Sequence, residues 1–168
     1  MNISTFRAFG SRNYRLFFAG QSVSLIGTWM QQTAVSWLIY VNTHSEFMLG
    51  LSVFAGQFPT FLLSPLGGVV SDRYNRHRIL LIVQAAAMVQ AVLLAVFILT
   101  DHFNVWIILA LNAVLGIVSA FDVPARQSLT YDMVENKSDL PNALALNSTM
   151  VNLARLVGPA LSGLVWVR

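Results

Sequence analysis

Five long apolar runs, separated by short polar segments, limit how this chain can fold more than any other feature. Each run is near the ~20 residues that a helix needs to cross ~30 Å of hydrocarbon. Because lipid offers no hydrogen-bonding partners to the backbone, the runs are predicted to be α-helices, which satisfy their own backbone groups. The sequence therefore predicts an all-α membrane protein with five transmembrane helices, over residues 16–41, 48–70, 79–99, 105–121 and 141–167.

The distribution of positive charge between the runs predicts the topology. The cationic residues of the N-terminal arm and of the segments between the runs all fall on one side of the predicted membrane, and they are Arg7, Arg12, Arg15, Arg73, Arg76, Arg78, Arg126 and Lys137. The segments 42–47 and 100–104, on the other side, contain no lysine or arginine. Because cationic loops stay in the cytoplasm, we expect the N-terminus inside, five crossings and the C-terminus outside.

Composition argues against a soluble protein. Only 10% of the residues are charged and 56% are hydrophobic, whereas soluble domains contain about 25% charged residues. The net charge of +3 does not indicate nucleic-acid binding, because the basic residues are spread over membrane-flanking loops. There is no cysteine, and His44, His77 and His102 have no metal-binding spacing. We therefore predict neither an enzyme nor a metal or cofactor site, and the lipid bilayer as one partner.

The first predicted helix is too polar to face lipid all round. At about 100° per residue, Gln21, Thr28 and Gln32 lie on one stripe, with Ser24 beside it. The stripe either lines an aqueous cavity or makes hydrogen bonds that only hold a bundle together, and for the stripe as a whole we favour the cavity. Polar residues on later helices are further cavity-lining candidates: Asn112, Ser148 and Asn152.

The fifth predicted helix carries an arginine, Arg155, near its middle. A central arginine costs about 2.5–3.5 kcal/mol on insertion scales, and each leucine or valine returns only about 0.3–0.6 kcal/mol. Arg155 is therefore expected to face the bundle interior and to have a polar partner, either as a functional site or as a buried bridge. Three side chains are candidate partners: Asp122, Asn112 and Gln32. Asp139 and Pro141 predict the N-cap and first turn of this helix.

The second predicted helix and the loop after it contain prolines, glycines and charged residues that constrain the backbone. Pro59 and Pro65 predict kinks, which are either static or part of a moving helix. Gly68 is expected to end the helix beside a close neighbour, and an aspartate and arginines then follow in a tight turn. The motif residues are Gly68, Asp72, Arg73, Arg76 and Arg78. The simpler interpretation is a plain cationic cytoplasmic loop.

The segment from Gly68 to Arg78 resembles the G-x-x-x-D-R-x-G-R-R/K signature of the major facilitator superfamily. Asn75 stands where the signature often has glycine, and asparagine also tolerates a left-handed turn. His77 stands at a common Arg/Lys position. The segments 121–127, 142–148 and 152–159 resemble elements of a narrower branch of drug/proton antiporters that includes macrolide and siderophore exporters.

The resemblance implies twelve helices in two similar halves that rock around a substrate site near the midplane. It implies that Asp72 and Arg73 belong to a cytoplasmic latch, and that Gly158 and Pro159 shape a helix that bends during the cycle. Asp122 and Arg155 become candidates for proton coupling, because protonation of Asp122 would remove a charge and release an arginine partner. The implied partners are a small amphipathic substrate, protons and a second half of the transporter.

Only five of those twelve helices are present, so we expect this chain to be an N-terminal piece that lacks helix 6 and the C-terminal half. The leading hypothesis is part of a proton-driven exporter of drugs or siderophores, in a bacterial inner membrane, that works by alternating access. No P-loop is present to supply energy from a nucleotide. The alternatives are an uptake permease of the same superfamily and a non-transporting membrane scaffold or remnant, in which Arg155 and the polar stripe would be buried in pairs.

Overall fold

The computed structural model describes residues 12–100, 103–133 and 140–166, and these form five α-helices. They are α1 (Arg12–Thr43), α2 (Glu46–Arg73), α3 (Arg76–Leu99), α4 (Val105–Met133) and α5 (Leu140–Trp166). The predicted all-α fold is confirmed, and most helices begin or end within four residues of the apolar run that predicted them. Asp139, Lys137 and Arg7, on which parts of the helix 5 cap and the charge pattern depend, lie outside the described residues.

The end of α4 differs from the prediction. The apolar run stops at residue 121, but the helix continues through Pro124 to Met133. Proline lacks the N–H that would bond the carbonyl one turn earlier, at Ala120, yet a membrane helix tolerates this loss when neighbouring groups approach the freed carbonyl. Asp122 and Arg126 are consequently helical residues and not part of a loop.

Two short connections are fixed by side-chain caps. Ser45 caps α2, its hydroxyl accepting a hydrogen bond from the Met48 N–H at 3.4 Å. Asn75 caps α3 in the same way, accepting from the Arg78 N–H at 3.2 Å. Asn75 has φ −64° and ψ 109°, so it does not use the left-handed conformation that asparagine tolerates. The asparagine acts as an N-cap, for which its side-chain oxygen is well suited.

The chain divides into two compact units. Unit 1 comprises residues 1–34 and 130–168, and unit 2 comprises residues 35–129. In unit 2, a cluster of buried apolar side chains joins the end of α1 to α3 and α4, and its members are Val35, Ile39, Leu94, Ile108 and Leu109. Unit 1 contains the first part of α1, the last residues of α4 and the whole of α5.

Three of the helices, α2, α3 and α4, are long and apolar enough to cross a membrane. Their outward surfaces carry exposed apolar side chains such as Phe61 and Leu99, as expected of helices that face lipid and not water. The polar residues predicted for the candidate site are concentrated on α1 and α5, which lowers the hydropathy of those two helices. The chain is a multi-pass membrane protein, and its orientation in the membrane stays a prediction.

Candidate functional site

In unit 1, the charge predicted to lie within the membrane packs on an aromatic ring. The guanidinium carbon of Arg155 lies 4.9 Å from the centroid of the Trp29 ring. A guanidinium over an indole face is attracted by the ring quadrupole, with about 0.5–2 kcal/mol gained according to the extent of desolvation. The side chain of Arg155 is otherwise exposed. The contact found for Arg155 in unit 1 is therefore an aromatic face on α1, and not a hydrogen bond to Gln32, which was one of three candidate partners.

Gly158, one turn further along α5, brings the two helices of unit 1 close together. A methyl group added at Gly158 would lie 2.6 Å from the Trp29 Cβ and 2.9 Å from the Met30 backbone nitrogen. Both distances are shorter than real Cβ contacts, so only glycine allows α5 to approach α1 this closely. Trp29 is therefore held at its Cβ by Gly158 and on its ring by Arg155. Pro159 follows within an uninterrupted α5.

The predicted polar stripe on α1 divides into two groups. Gln21 is buried, with 5% of its surface exposed, whereas Ser24, Thr28 and Gln32 are partly exposed. The Thr28 hydroxyl donates to the Ser24 carbonyl at 3.0 Å, which satisfies it within its own helix. Surface that a dissolved molecule could contact is thus available on three of these residues, while Gln21 contributes to packing.

The two polar candidates on α5 are exposed. The Asn152 amide donates to the Ser148 carbonyl at 2.9 Å, one turn earlier in the same helix. Both side chains therefore share the side of α5 that carries Arg155. In unit 1 the structure brings together Arg155, Gly158 and Trp29, with Ser148 and Asn152 along the same helix.

In unit 2, Asp122 lies in a polar cluster between α3 and α4. Its carboxylate is 3.1 Å from the Arg126 guanidinium, and the two side chains are only 16% and 7% exposed, respectively. The Gln84 amide on α3 donates to the other carboxylate oxygen at 3.4 Å. The cation and the amide favour the ionised form of this carboxyl, and its burial opposes that form.

Asn112 is engaged in a bond between helices. Its amide donates to the Ser52 hydroxyl on α2 at 2.8 Å. A further bond lies one turn away, where the Thr60 hydroxyl donates to the Gly116 carbonyl on α4 at 2.8 Å. Asn112 thus links α4 to α2, and its place in the lining of a cavity stays a prediction.

Paired small residues bring the backbones of α2 and α4 into contact. A Cβ at Gly116 would clash with the Gly56 carbonyl, and one at Gly67 would clash with the Ala120 carbonyl. Ala120 is the residue whose carbonyl Pro124 leaves without a helical hydrogen bond. Gly68, for which we expected the close neighbour, has open space around it among the described residues. The expectation for Gly68 is wrong, because α2 continues to Arg73 and turns Gly67 toward α4.

The remaining motif residues surround the junction of α2 and α3. Asp72 and Arg73 are the last two residues of α2, and both are exposed, as is Arg78. The Arg76 guanidinium donates to the Ser71 carbonyl at 3.3 Å, which ties the start of α3 to the end of α2. The charged members of the motif therefore present their side chains at one end of unit 2.

Sequence reasoning missed three residues of these sites: Trp29, Arg126 and Gln84. Arg126 was counted as a loop cation, although its spacing of four from Asp122 is the spacing at which helical side chains meet. Trp29 lies in the middle of its helix, whereas tryptophans of membrane helices are enriched at the two interfaces. That unusual position was the available signal for a role inside the bundle.

Comparison with known proteins identifies the family. The family model described as "Transmembrane secretion effector" matches residues 3–167. The Staphyloferrin A transporter of Staphylococcus aureus is 28% identical over 154 residues, which are 90% of this chain and 38% of that protein. Macrolide efflux protein A of Streptococcus pyogenes is 27% identical over 162 residues, 92% of this chain and 39% of that protein.

The Enterobactin exporter EntS of Salmonella typhimurium is 26% identical over 152 residues, 90% of this chain and 36% of that protein. The chain thus spans less than two fifths of the length of these curated relatives. No solved structure matches it. The family match covers nearly every residue, and it agrees with the Gly68–Arg78 signature and with the helical fold. This chain belongs to the transmembrane secretion effector family of the major facilitator superfamily.

Proposed function

We propose that this chain forms the N-terminal part of an exporter that moves small molecules, of the drug or siderophore class, out of a bacterial cell. The observation that carries the proposal is the family match over residues 3–167, together with similarity to proteins named as macrolide and enterobactin exporters. The N-terminus is cytoplasmic in this proposal, in agreement with the charge pattern of the loops. Helix 6 and a C-terminal half supply the remaining helices of the transport path in this proposal.

Transport proceeds by alternating access in this proposal, with Asp72 and Arg73 as part of a latch on the cytoplasmic side. Both side chains are exposed at the end of α2, where a second half of the transporter can contact them. Asp72→Asn should shift the balance between inward-facing and outward-facing states. Because residues 1–168 contain no cysteine, a cysteine introduced at the Ser148 position of an otherwise cysteine-free full protein reports this through its labelling rate. Equal labelling rates with and without Asp72→Asn would contradict the latch.

Proton coupling is assigned to Asp122, with Arg155 as the second candidate. Asp122 already has a cation within 3.1 Å and an amide donor within 3.4 Å. Protonation of Asp122 would remove its attraction to Arg126 and weaken the contact between α3 and α4 at Gln84. A proton that arrives from outside the cell can thus change helix packing, which is the requirement for driving transport with a proton gradient.

The test is efflux from bacterial cells whose own exporters are deleted, with the full reading frame that contains these residues. Expression should lower the accumulation of a macrolide or a siderophore, and an ionophore that collapses the proton gradient should restore it. Asp122→Asn should abolish the part of the efflux that depends on the proton gradient. Asp132→Asn is the matched control, because Asp132 lies on the same helix and is exposed. Increased accumulation would favour an uptake permease instead, and no change with any compound would favour a scaffold.

A further inference from the structure

We propose that Arg155 and Trp29 form a recognition site for an anionic group, a carboxylate above all, on the transported molecule. The inference rests on the proposed function and extends it to the charge of the substrate. It assigns to Arg155 a role in binding, and to Trp29 that of positioning the guanidinium.

The geometry leaves the hydrogen-bonding edge of Arg155 available. Within the described ranges, the contact of its guanidinium is with the Trp29 ring at 4.9 Å, and it makes no hydrogen bond or salt bridge there. A guanidinium has five N–H donors arranged as a planar fork, which matches the two oxygens of a carboxylate. The Trp29 ring restrains the plane of the guanidinium before an anion binds. Binding therefore removes less conformational entropy from the Arg155 side chain.

The charge around the site favours an anion. Neither α1 (Arg12–Thr43) nor α5 (Leu140–Trp166) contains an aspartate or a glutamate. Trp29 moderates the positive charge of Arg155 without neutralising it, since a ring quadrupole carries no net charge. The positive potential of Arg155 is therefore not cancelled by any acidic residue on the two helices that build the site.

Position along the helix favours a dissolved molecule over a lipid. Arg155 is the sixteenth of 27 residues in α5, so at about 1.5 Å per residue it lies roughly 17 Å or more from either end of the helix. Lipid phosphates lie near the ends of a helix that crosses ~30 Å of hydrocarbon. A phosphate group would have to leave the membrane surface to reach the guanidinium.

Direction around the helix separates the site from the apolar surface. Asn152, Arg155 and Pro159 fall within about 60° of one another at 100° per residue. The exposed residues Leu156 and Leu164 lie about 100° or more from Arg155 on the same scale. The fork thus shares its side of α5 with polar, exposed Asn152, while leucines occupy the side suited to lipid.

The experiment measures binding of three probes that share a naphthyl ring and carry a negative, a neutral or a positive group. The protein from the full reading frame is purified in nanodiscs of neutral phosphatidylcholine, and calorimetry follows 1-naphthoate, 1-naphthamide and 1-naphthylmethylammonium. We expect naphthoate to bind at least tenfold more tightly than the amide, and the ammonium probe to bind least. Arg155→Gln should abolish this preference, and Arg155→Lys should retain only part of it, because lysine keeps the charge but not the fork.

Arg12→Gln is the matched control, since Arg12 is an exposed arginine in the same unit; it should leave the preference unchanged. Thermal unfolding of each variant separates loss of binding from loss of folding. Equal affinity for naphthoate and naphthamide in the folded wild-type protein would overturn the proposal. So would loss of naphthoate binding in phosphatidylglycerol nanodiscs, which would assign the guanidinium to lipid.

The inference and the proposed function fail in different ways. Arg155-dependent binding of naphthoate, without efflux of any compound from cells, would leave the anion site standing and refute export. Efflux from cells without any preference for naphthoate in nanodiscs would support export and refute the anion site.

Discussion

The carboxylate of Asp122 lies 3.1 Å from the guanidinium of Arg126, one helical turn further along α4. Both side chains are largely covered by protein, and Gln84 on α3 donates to the same carboxylate. The pair owes its existence to the continuation of α4 past Pro124, because a loop after residue 121 would not place the two residues on one face. The first prediction concerns the removal of one charge from this pair.

Arg126→Gln should destabilise the protein by about 3 kcal/mol, the lower end of the cost of removing one partner of a buried ion pair. The reason is that Arg126 compensates the carboxyl of Asp122 in a place with little solvent, and glutamine removes that compensation. Unfolding of the purified protein in nanodiscs measures the change. The double variant Arg126→Gln with Asp122→Asn should recover most of the loss, because no charge is then left unpaired. A double variant that is as unstable as the single one would contradict this account.

Gly158→Ala should separate α5 from α1 and cost about 1–3 kcal/mol, the range for adding atoms to a tightly packed site. The added methyl group would lie 2.6 Å from the Trp29 Cβ. Gly163→Ala is the matched control on the same helix, since a Cβ at Gly163 meets nothing within 4 Å. Thermal unfolding compares the two variants, and tryptophan fluorescence reports the displacement of Trp29. Equal stability of both variants would show that α5 is not held at Gly158.

Two adjacent glycines should respond oppositely to alanine. Gly67→Ala should destabilise the protein, because its methyl group would lie against the Ala120 carbonyl. That carbonyl is part of the backbone and does not move aside easily. Gly68→Ala meets open space and should be neutral or stabilising by up to about 1 kcal/mol, because alanine favours the helix. Unfolding of both variants under the same conditions gives the comparison. A greater loss at Gly68 would mean that the motif glycine has the packing role after all.

Thr60→Val should weaken the junction of α2 and α4 by about 0.6–1.7 kcal/mol, the range for hydrogen bonds between membrane helices. Valine keeps the shape of threonine and removes the hydroxyl that donates to the Gly116 carbonyl at 2.8 Å. Thr33→Val is the control, because the Thr33 hydroxyl donates to the Trp29 carbonyl within its own helix. An equal effect of the two substitutions would argue that the bond between helices contributes nothing.

The absence of cysteine from residues 1–168 permits a direct test of orientation in an otherwise cysteine-free full protein. His44 precedes α2 and His77 lies in the first turn of α3, so the two residues flank α2, and both are exposed. In intact cells, a cysteine at His44 should react with a membrane-impermeant maleimide, and one at His77 should react only after permeabilisation. The reverse pattern would place the N-terminus outside the cell and contradict the topology predicted from the arginines.

Sequence reasoning worked best where the signal was local. The apolar runs predicted five helices, because in lipid a chain must satisfy its backbone within each segment. It failed at the end of α4, where the polar residues Asp122 and Arg126 resembled a loop. Hydropathy describes the preference of a segment for lipid over water and not its conformation. It therefore cannot show that a helix continues beyond its apolar part.

The partners of the polar residues could not be predicted from the sequence, for a different reason. We expected Arg155 to pair with Asp122, Asn112 or Gln32, because a charged side chain within the membrane needs a polar partner. The structure pairs Asp122 with Arg126 and Asn112 with Ser52, and it places Arg155 on Trp29. Which residues meet depends on how closely helices approach and how each is rotated, and a difference of one position turns a side chain by about 100°.

The sequence by itself determined the helical class, the membrane environment, the family signature and the presence of a charge in the middle of α5. Those properties follow from composition and spacing along one segment. Only the tertiary structure decided that Gly67, and not Gly68, contacts α4, and that an indole ring supports Arg155. The physical reason is that packing between helices is set by complementary shapes on two segments at once, which no single segment encodes.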